Sequence, residues 1–298
     1  MAQSERDSNI DNKDYRNLAR ILTRVENDLS GSREILHNLK PSSKCIVLGI
    51  TGPPGAGKST LVNAMINLLS AENKRIAVVA IDPTSPFNLG SLLGDRIRMS
   101  EQFNKPNVYI RSIATRGSLG GLSAKTIEIV DVLKSAGFDY ILVETVGVGQ
   151  SEVEIVGLAD ITIVVLVPES GDEIQSIKSG LMEIADIFVV NKADREGADT
   201  FANNLKKLVG QKASHVPVIK TIADRAEGVG ELLLAIKDYS TTENKQKHYL
   251  LAEKAWKLIQ HRRMTDIDKK KLQLDIAEAS KKTDFNLYRY VENLLRNS

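Results

Sequence analysis

The chain has 298 residues, 40 Lys+Arg against 38 Asp+Glu for a net charge of +2, with 42% hydrophobic and 26% charged residues. This is the composition of a globular protein with one large domain, or one domain plus an appendage. The charge balance and an aromatic content of 5% argue against a general nucleic-acid binder, which needs a basic excess and base-stacking platforms. A single cysteine, Cys45, excludes an intramolecular disulfide and any cysteine-rich zinc or iron–sulfur site.

The polar opening MAQSERDSNIDNKDYRN has neither the apolar core of a signal peptide nor the acid-free character of a transit peptide, so a cytoplasmic protein is expected. Leu18, Ile21, Leu22, Val25 and Leu29 recur at helical spacing, and Ile35, Leu36 and Leu39 repeat the pattern before Pro41-Ser42-Ser43 breaks it. Residues 1–42 therefore read as a helical extension. Apolar runs at 46–50, 76–81, 108–113, 140–143, 161–167, 187–190 and 216–219 then alternate with amphipathic stretches such as 60–69, 122–133 and 174–184. Strands apolar on both faces, alternating with helices, predict an α/β fold with a mostly parallel sheet, over residues 43–240. The longest run, 161–167, falls well short of the roughly 20 residues of a membrane span, and no membrane partner is expected.

Beyond residue 240 the strand signal stops. Residues 241–298 hold 13 Lys+Arg and 8 Asp+Glu and read as a helical arm. Its stripes, Ala252, Ala255, Trp256 and Ile259, then Leu287, Val291, Leu294 and Leu295, need the main domain, another subunit or a partner to cover them, because short helices are marginal alone.

Directly after the first strand stands Gly52-Pro53-Pro54-Gly55-Ala56-Gly57-Lys58-Ser59-Thr60, a Walker A sequence in its strand–loop–helix setting. The glycines let backbone N–H groups turn inward around phosphates, and the helix beginning near Lys58 adds the positive end of its dipole. Lys58 is expected to reach the β- and γ-phosphates and the Ser59 hydroxyl to ligate Mg²⁺. After the sixth strand comes Asn191-Lys192-Ala193-Asp194, at the carboxyl edge where α/β sheets bind ligands. A carboxylate there accepts from the N1–H and 2-amino groups of guanine. Adenine offers neither donor, and such a mismatch costs a factor of about 10⁴ or more. GTP is therefore expected rather than ATP, with the Lys192 stem lying over the base.

The fourth strand ends in Glu144-Thr145-Val146-Gly147, where many GTPases carry Asp-x-x-Gly; the acid meets the Mg²⁺ shell and the glycine N–H the γ-phosphate. Val148 follows, so the water-orienting glutamine of Ras-type GTPases is missing from its usual place and slow hydrolysis is expected. Gln150 either substitutes for it or is a surface residue. Asp82, at the end of the second strand, is the better candidate for a further Mg²⁺ ligand. Asp95 is either another or an ordinary helix-surface carboxylate. His37, His215, His248 and His261 lie far apart, without paired ligand spacing.

Together these residues resemble the MeaB/ArgK/MMAA family of P-loop GTPases, within the metallochaperone GTPase group. The resemblance runs over residues 18–240 and rests on GPPGAGKST (52–60), DPTSP with LLGD (82–95), ATRGSLGGL (114–122), ETVGVGQSE (144–152), GDEIQSIKSG (171–180) and NKAD (191–194). It implies a G domain with helical extensions, the C-terminal one a homodimer arm. It also implies slow GTP hydrolysis to GDP and phosphate that gates cofactor loading and protects or reactivates an adenosylcobalamin-dependent acyl-CoA mutase, usually methylmalonyl-CoA mutase. By motif, Lys58, Ser59, Asp82, Asp95 and Glu144 inherit phosphate and Mg²⁺ roles, and Asn191 and Asp194 guanine recognition. Thr221-Ile222-Ala223 takes the place of the Ser-Ala backbone contact to the base. Residues 172–178 match a third switch, from which Lys178 either reaches the active site or remains a helix-surface lysine. Arg116 and Gly117 suit a functional loop.

The sequence departs from the family pattern in three places: PESGD (168–172) lacks the glycine that follows the proline, Leu89-Gly90 replaces Gly-Gly, and Ile222 replaces a serine. Some members carry a transport-system kinase label, but no kinase motif set occurs here. A nickel-type metal-inserting GTPase needs Cys/His clusters, which one cysteine and four scattered histidines do not supply. An ATP-dependent partitioning protein is opposed by the NKAD base reader, and a nucleotide-gated binding module without useful turnover remains a second reading.

Overall fold

The computed structural model describes residues 14–82, 100–114, 124–145, 155–169, 181–210, 216–240, 247–264, 267, 269–281 and 285–296. A seven-stranded, all-parallel sheet organises the first unit. Its strands are β1 (Ile46–Thr51), β2 (Ile76–Asp82), β3 (Val108–Ala114), β4 (Tyr140–Glu144), β5 (Ile161–Leu166), β6 (Ile187–Val190) and β7 (Val218–Lys220), in the order β3-β2-β4-β1-β5-β6-β7. The seven runs expected as strands are these seven strands. β7 starts two residues later than its apolar run because Pro217 has no N–H for the ladder; its carbonyl still accepts from Phe188 N at 2.9 Å.

Helices α1 (Tyr15–Glu26) and α2 (Ser32–His37) precede the sheet, and α3 (Lys58–Ala71), α4 (Ala124–Ser135), α5 (Leu181–Ile184), α6 (Ala198–Val209) and α7 (Val229–Ser240) follow its strands. Asp14 caps α1, its Oδ1 accepting from Arg16 N at 2.9 Å and Asn17 N at 3.0 Å, which satisfies donors that a helix start leaves open. The buried stripe Leu18, Ile21, Leu22 and Val25 stabilises its seat by about 1.5–3 kcal/mol per side chain. Tyr15 stacks with Phe138 and tilts against Tyr109, and Arg111 of β3 donates to Glu26 at 2.5 Å. The leader is thus fastened to β3 and to the approach to β4.

The amino edge of the sheet repeats one device. Asp139, Asp160 and Asp186 each immediately precede a strand, and each carboxylate accepts a backbone N–H at the start of a neighbouring one: Arg75 N at 2.7 Å, Val47 N at 2.8 Å and Thr162 N at 2.7 Å. These bonds satisfy donors below the ladder and pin strand register. Burial pushes the Asp186 carboxyl up, opposed by hydrogen bonds from Tyr239 and Thr162.

A first compact unit runs to Lys254, and residues 255–298 form the second. Its helices come from α8 (Lys247–Arg263), which begins in the first unit, and from α9 (Lys269–Ala279) and α10 (Leu287–Arg296). Asn286 caps α10, accepting from Tyr288 N and Arg289 N. Trp256, Ile259, Leu287 and Val291, from the two stripes, are exposed. Among the described residues no helix is long and apolar enough to cross a membrane.

Candidate nucleotide-binding site

β1 lies between β4 and β5, so the loop leaving it opens where the chain order reverses, the crevice in which parallel α/β sheets hold ligands. The loop from Gly52 to Gly57 needs its glycines at two tight points. Gly52 has φ +136° and a Cβ there would lie 2.1 Å from the Val165 carbonyl oxygen. Gly57 has φ +84° and a Cβ would lie 2.4 Å from Asn191 Nδ2. Only a residue without Cβ fits either place. Pro53 is half-buried, Pro54 and Gly55 are exposed, and Ala56 is buried beneath the turn that its N–H closes on the Pro53 carbonyl.

Gly57 caps α3 without a side-chain bond, so the first N–H groups of that helix, from Lys58, Ser59 and the exposed Thr60, point out of its amino end as donors for an anion. The Lys58 side chain is buried and its Nζ donates to the carbonyls of Gly52 at 2.8 Å and Pro53 at 3.0 Å. This places an ammonium inside the turn of the loop, where it would neutralise the charge of a bound phosphate.

Glu144 ends β4 opposite Ile50 of β1 and Ala80 of β2. Its Oε1 accepts from Ser59 Oγ at 2.6 Å, with both side chains buried. One residue further along both strands Thr145 Oγ1 donates to Thr51 Oγ1 at 3.0 Å, a bond that sequence reasoning missed although Thr145 directly follows the acid. The buried hydroxyl–carboxylate pair is an all-oxygen donor set, which fits the hard Mg²⁺ ion that the fold implies. Ser59 and Glu144 would hold that ion, and it would supply charge neutralisation on the β- and γ-phosphates. Asp82 closes β2 beside Ala114; its side chain lies outside the described residues, as do Asp95, Arg116, Gly117, Gly147, Val148, Gln150 and Lys178.

The second loop follows β6. Asn191 is buried and its amide ties three segments: Nδ2 donates to the Ala56 carbonyl at 2.9 Å, while Oδ1 accepts from Thr221 Oγ1 at 3.0 Å and Ala223 N at 3.1 Å. The Asn191 amide thus joins the phosphate loop to the loops that follow β6 and β7. Lys192 takes a left-handed backbone, φ 55°, and donates to the Gly55 carbonyl at 2.7 Å, which carries its stem across the mouth of the site. Asp194 is exposed, with Arg225 Nη2 3.8 Å from its Oδ2. Ile222 exchanges backbone bonds with Glu227, closing the turn that follows Thr221.

Arg195, one residue on, donates to Glu169 and holds its carboxyl below the usual carboxylate range. Glu169 stands where the family pattern has glycine, so that departure has a partner in this chain. Neither the Arg225–Asp194 nor the Arg195–Glu169 pair carries a signal in the sequence, since charged loop residues are common and the partners are 31 and 26 positions apart.

The fold and the loop define a P-loop nucleoside triphosphatase. The family model for the methylmalonyl-CoA mutase-associated GTPase MeaB matches residues 18–274, and the chain belongs to that family. A protein of Pyrococcus horikoshii is 46% identical over 282 residues, 92% of this chain and 86% of its own. GTPase ArgK of Escherichia coli is 37% identical over 221 residues, 70% of this chain and 66% of its own. The crystal structure of a LAO/AO transport system kinase matches with a TM-score of 0.69 at 23% identity, covering 98% of this chain and 96% of that one; the likeness is one of fold.

Proposed function

We propose that this GTPase binds GTP and Mg²⁺ through Lys58, Ser59, Asp82, Glu144, Asn191, Lys192 and Asp194, with Thr221, Ile222 and Ala223 closing the base side. In this reading it is an accessory chaperone for an adenosylcobalamin-dependent acyl-CoA mutase, methylmalonyl-CoA mutase in the first instance. The observation that carries the nucleotide part is the Asn191 amide, which locks the phosphate loop and both base loops into one block. The mutase part is supported by family membership. In the same reading the protein is cytoplasmic, residues 43–240 form the catalytic domain between extensions 1–42 and 241–298, and the exposed Trp256 and Ile259 of the arm meet a second copy.

GTP turnover measured with and without stoichiometric mutase apoenzyme tests the partner. Stimulation with GTP and none with ATP is expected. A GTP rate unmoved by the mutase would remove methylmalonyl-CoA mutase from the reading and leave the GTPase standing.

A further inference from the structure

We propose that Arg225 is a specificity-determining positioning residue for the base: its guanidinium holds the Asp194 carboxylate in the orientation that accepts from guanine. The inference rests on the reading of Asp194 as the guanine acceptor.

The Asp194 side chain is 39% exposed. Among the described residues Arg225 is the cation paired with it, and the separation decides how it acts. At 3.8 Å the guanidinium lies within ion-pair reach but beyond hydrogen-bond length. It attracts the carboxylate without occupying the lone pairs that the N1–H and 2-amino donors of guanine require.

The backbone beneath Arg225 is set to aim it. Arg225 ends the short turn Ala223–Arg225, whose N–H bonds run from Arg225 to the Ile222 carbonyl at 3.0 Å and from Ala226 to the Ala223 carbonyl at 3.3 Å. Ile222 and Glu227 exchange two backbone bonds, at 3.1 and 3.2 Å, across the base of the turn. A Cβ at Gly228, φ +74°, would lie 2.1 Å from the Lys220 carbonyl oxygen, which confines the exit of the turn to glycine. The Ala193 N–H donates to the Thr221 carbonyl at 3.0 Å, and Asn191 accepts from Ala223 N. The backbones that carry Arg225 and Asp194 are therefore one unit, and the ion pair completes it at the side-chain level.

The chemistry separates this role from simple bracing. Guanine presents two donors to the carboxylate, whereas xanthine presents a 2-oxo acceptor, which a carboxylate repels and a guanidinium attracts. In Asp194→Asn the guanidinium is released from its carboxylate and can serve xanthine.

The test measures GDP and XDP affinities for the full chain carrying Arg225→Ala or Arg225→Lys, each with Asp194 intact and in the Asp194→Asn background. With Asp194 intact, Arg225→Ala is expected to weaken GDP by about two- to fivefold, the range of an exposed ion pair, and Arg225→Lys to restore most of it. In the Asp194→Asn background, Arg225→Ala should leave GDP unmoved and weaken XDP. Unchanged or tighter GDP binding with Asp194 intact, or equal weakening of both nucleotides in both backgrounds, overturns the proposal. Failure of Asp194→Asn alone to shift preference toward XDP instead overturns the guanine reading beneath it.

Discussion

Replacing Lys58 by alanine is expected to abolish tight GTP binding and turnover. The ammonium is buried and sits within 3.0 Å of two carbonyls of the loop that would surround the phosphates. A charge-assisted hydrogen bond contributes about 1.5–3 kcal/mol, so losing even one to a phosphate costs roughly ten- to a hundredfold in affinity. Removing a donor aimed at developing charge lowers turnover by about 10²–10³. The substitution also takes a donor from the Gly52 and Pro53 carbonyls, so thermal unfolding of the variant must accompany the assay. A folded Lys58→Ala protein with unchanged GTP affinity and rate would remove the phosphate-loop assignment.

The second large effect is expected at the base. Asp194→Asn turns one of two carboxylate oxygens into a donor that faces the donors of guanine, with almost no change in volume. Two charge-assisted hydrogen bonds are at stake, and GTP affinity should fall by about a hundredfold or more. Xanthosine triphosphate, whose 2-oxo group accepts where guanine donates, should bind better than GTP. Nucleotide competition reads the ratio directly. A variant that still prefers guanine would take Asp194 out of the base site.

The parts of this molecule that were legible from sequence share a physical cause. Strands buried on both faces leave unbroken apolar runs, so all seven strands could be placed to within a few residues, and Gly52 and Gly57 of the phosphate loop are dictated by contacts that no Cβ survives. What stayed hidden depends on partners far apart in the chain. By motif Asn191 and Asp194 both inherit guanine recognition, yet the Asn191 amide is engaged by Ala56, Thr221 and Ala223 while Asp194 faces solvent and Arg225. Nothing local predicts that Glu169, standing in place of a glycine, meets Arg195. Likewise, the aspartates before β4, β5 and β6 look like ordinary turn residues until the neighbouring strands supply the N–H groups they bind. The stripes of the arm were legible as apolar faces, and Trp256, Ile259, Leu287 and Val291 among them are exposed.

On the proposed reading the block tied together by Asn191 is a guanine-specific hydrolytic site. Single-turnover hydrolysis of GTP by the chain alone, with ATP as the control nucleotide and Lys58→Ala as the blank, tests it most directly. Slow, Mg²⁺-dependent release of phosphate from GTP, absent with ATP and absent in the variant, is the predicted result. Equal hydrolysis of both nucleotides, or a rate that survives the loss of Lys58, would contradict it.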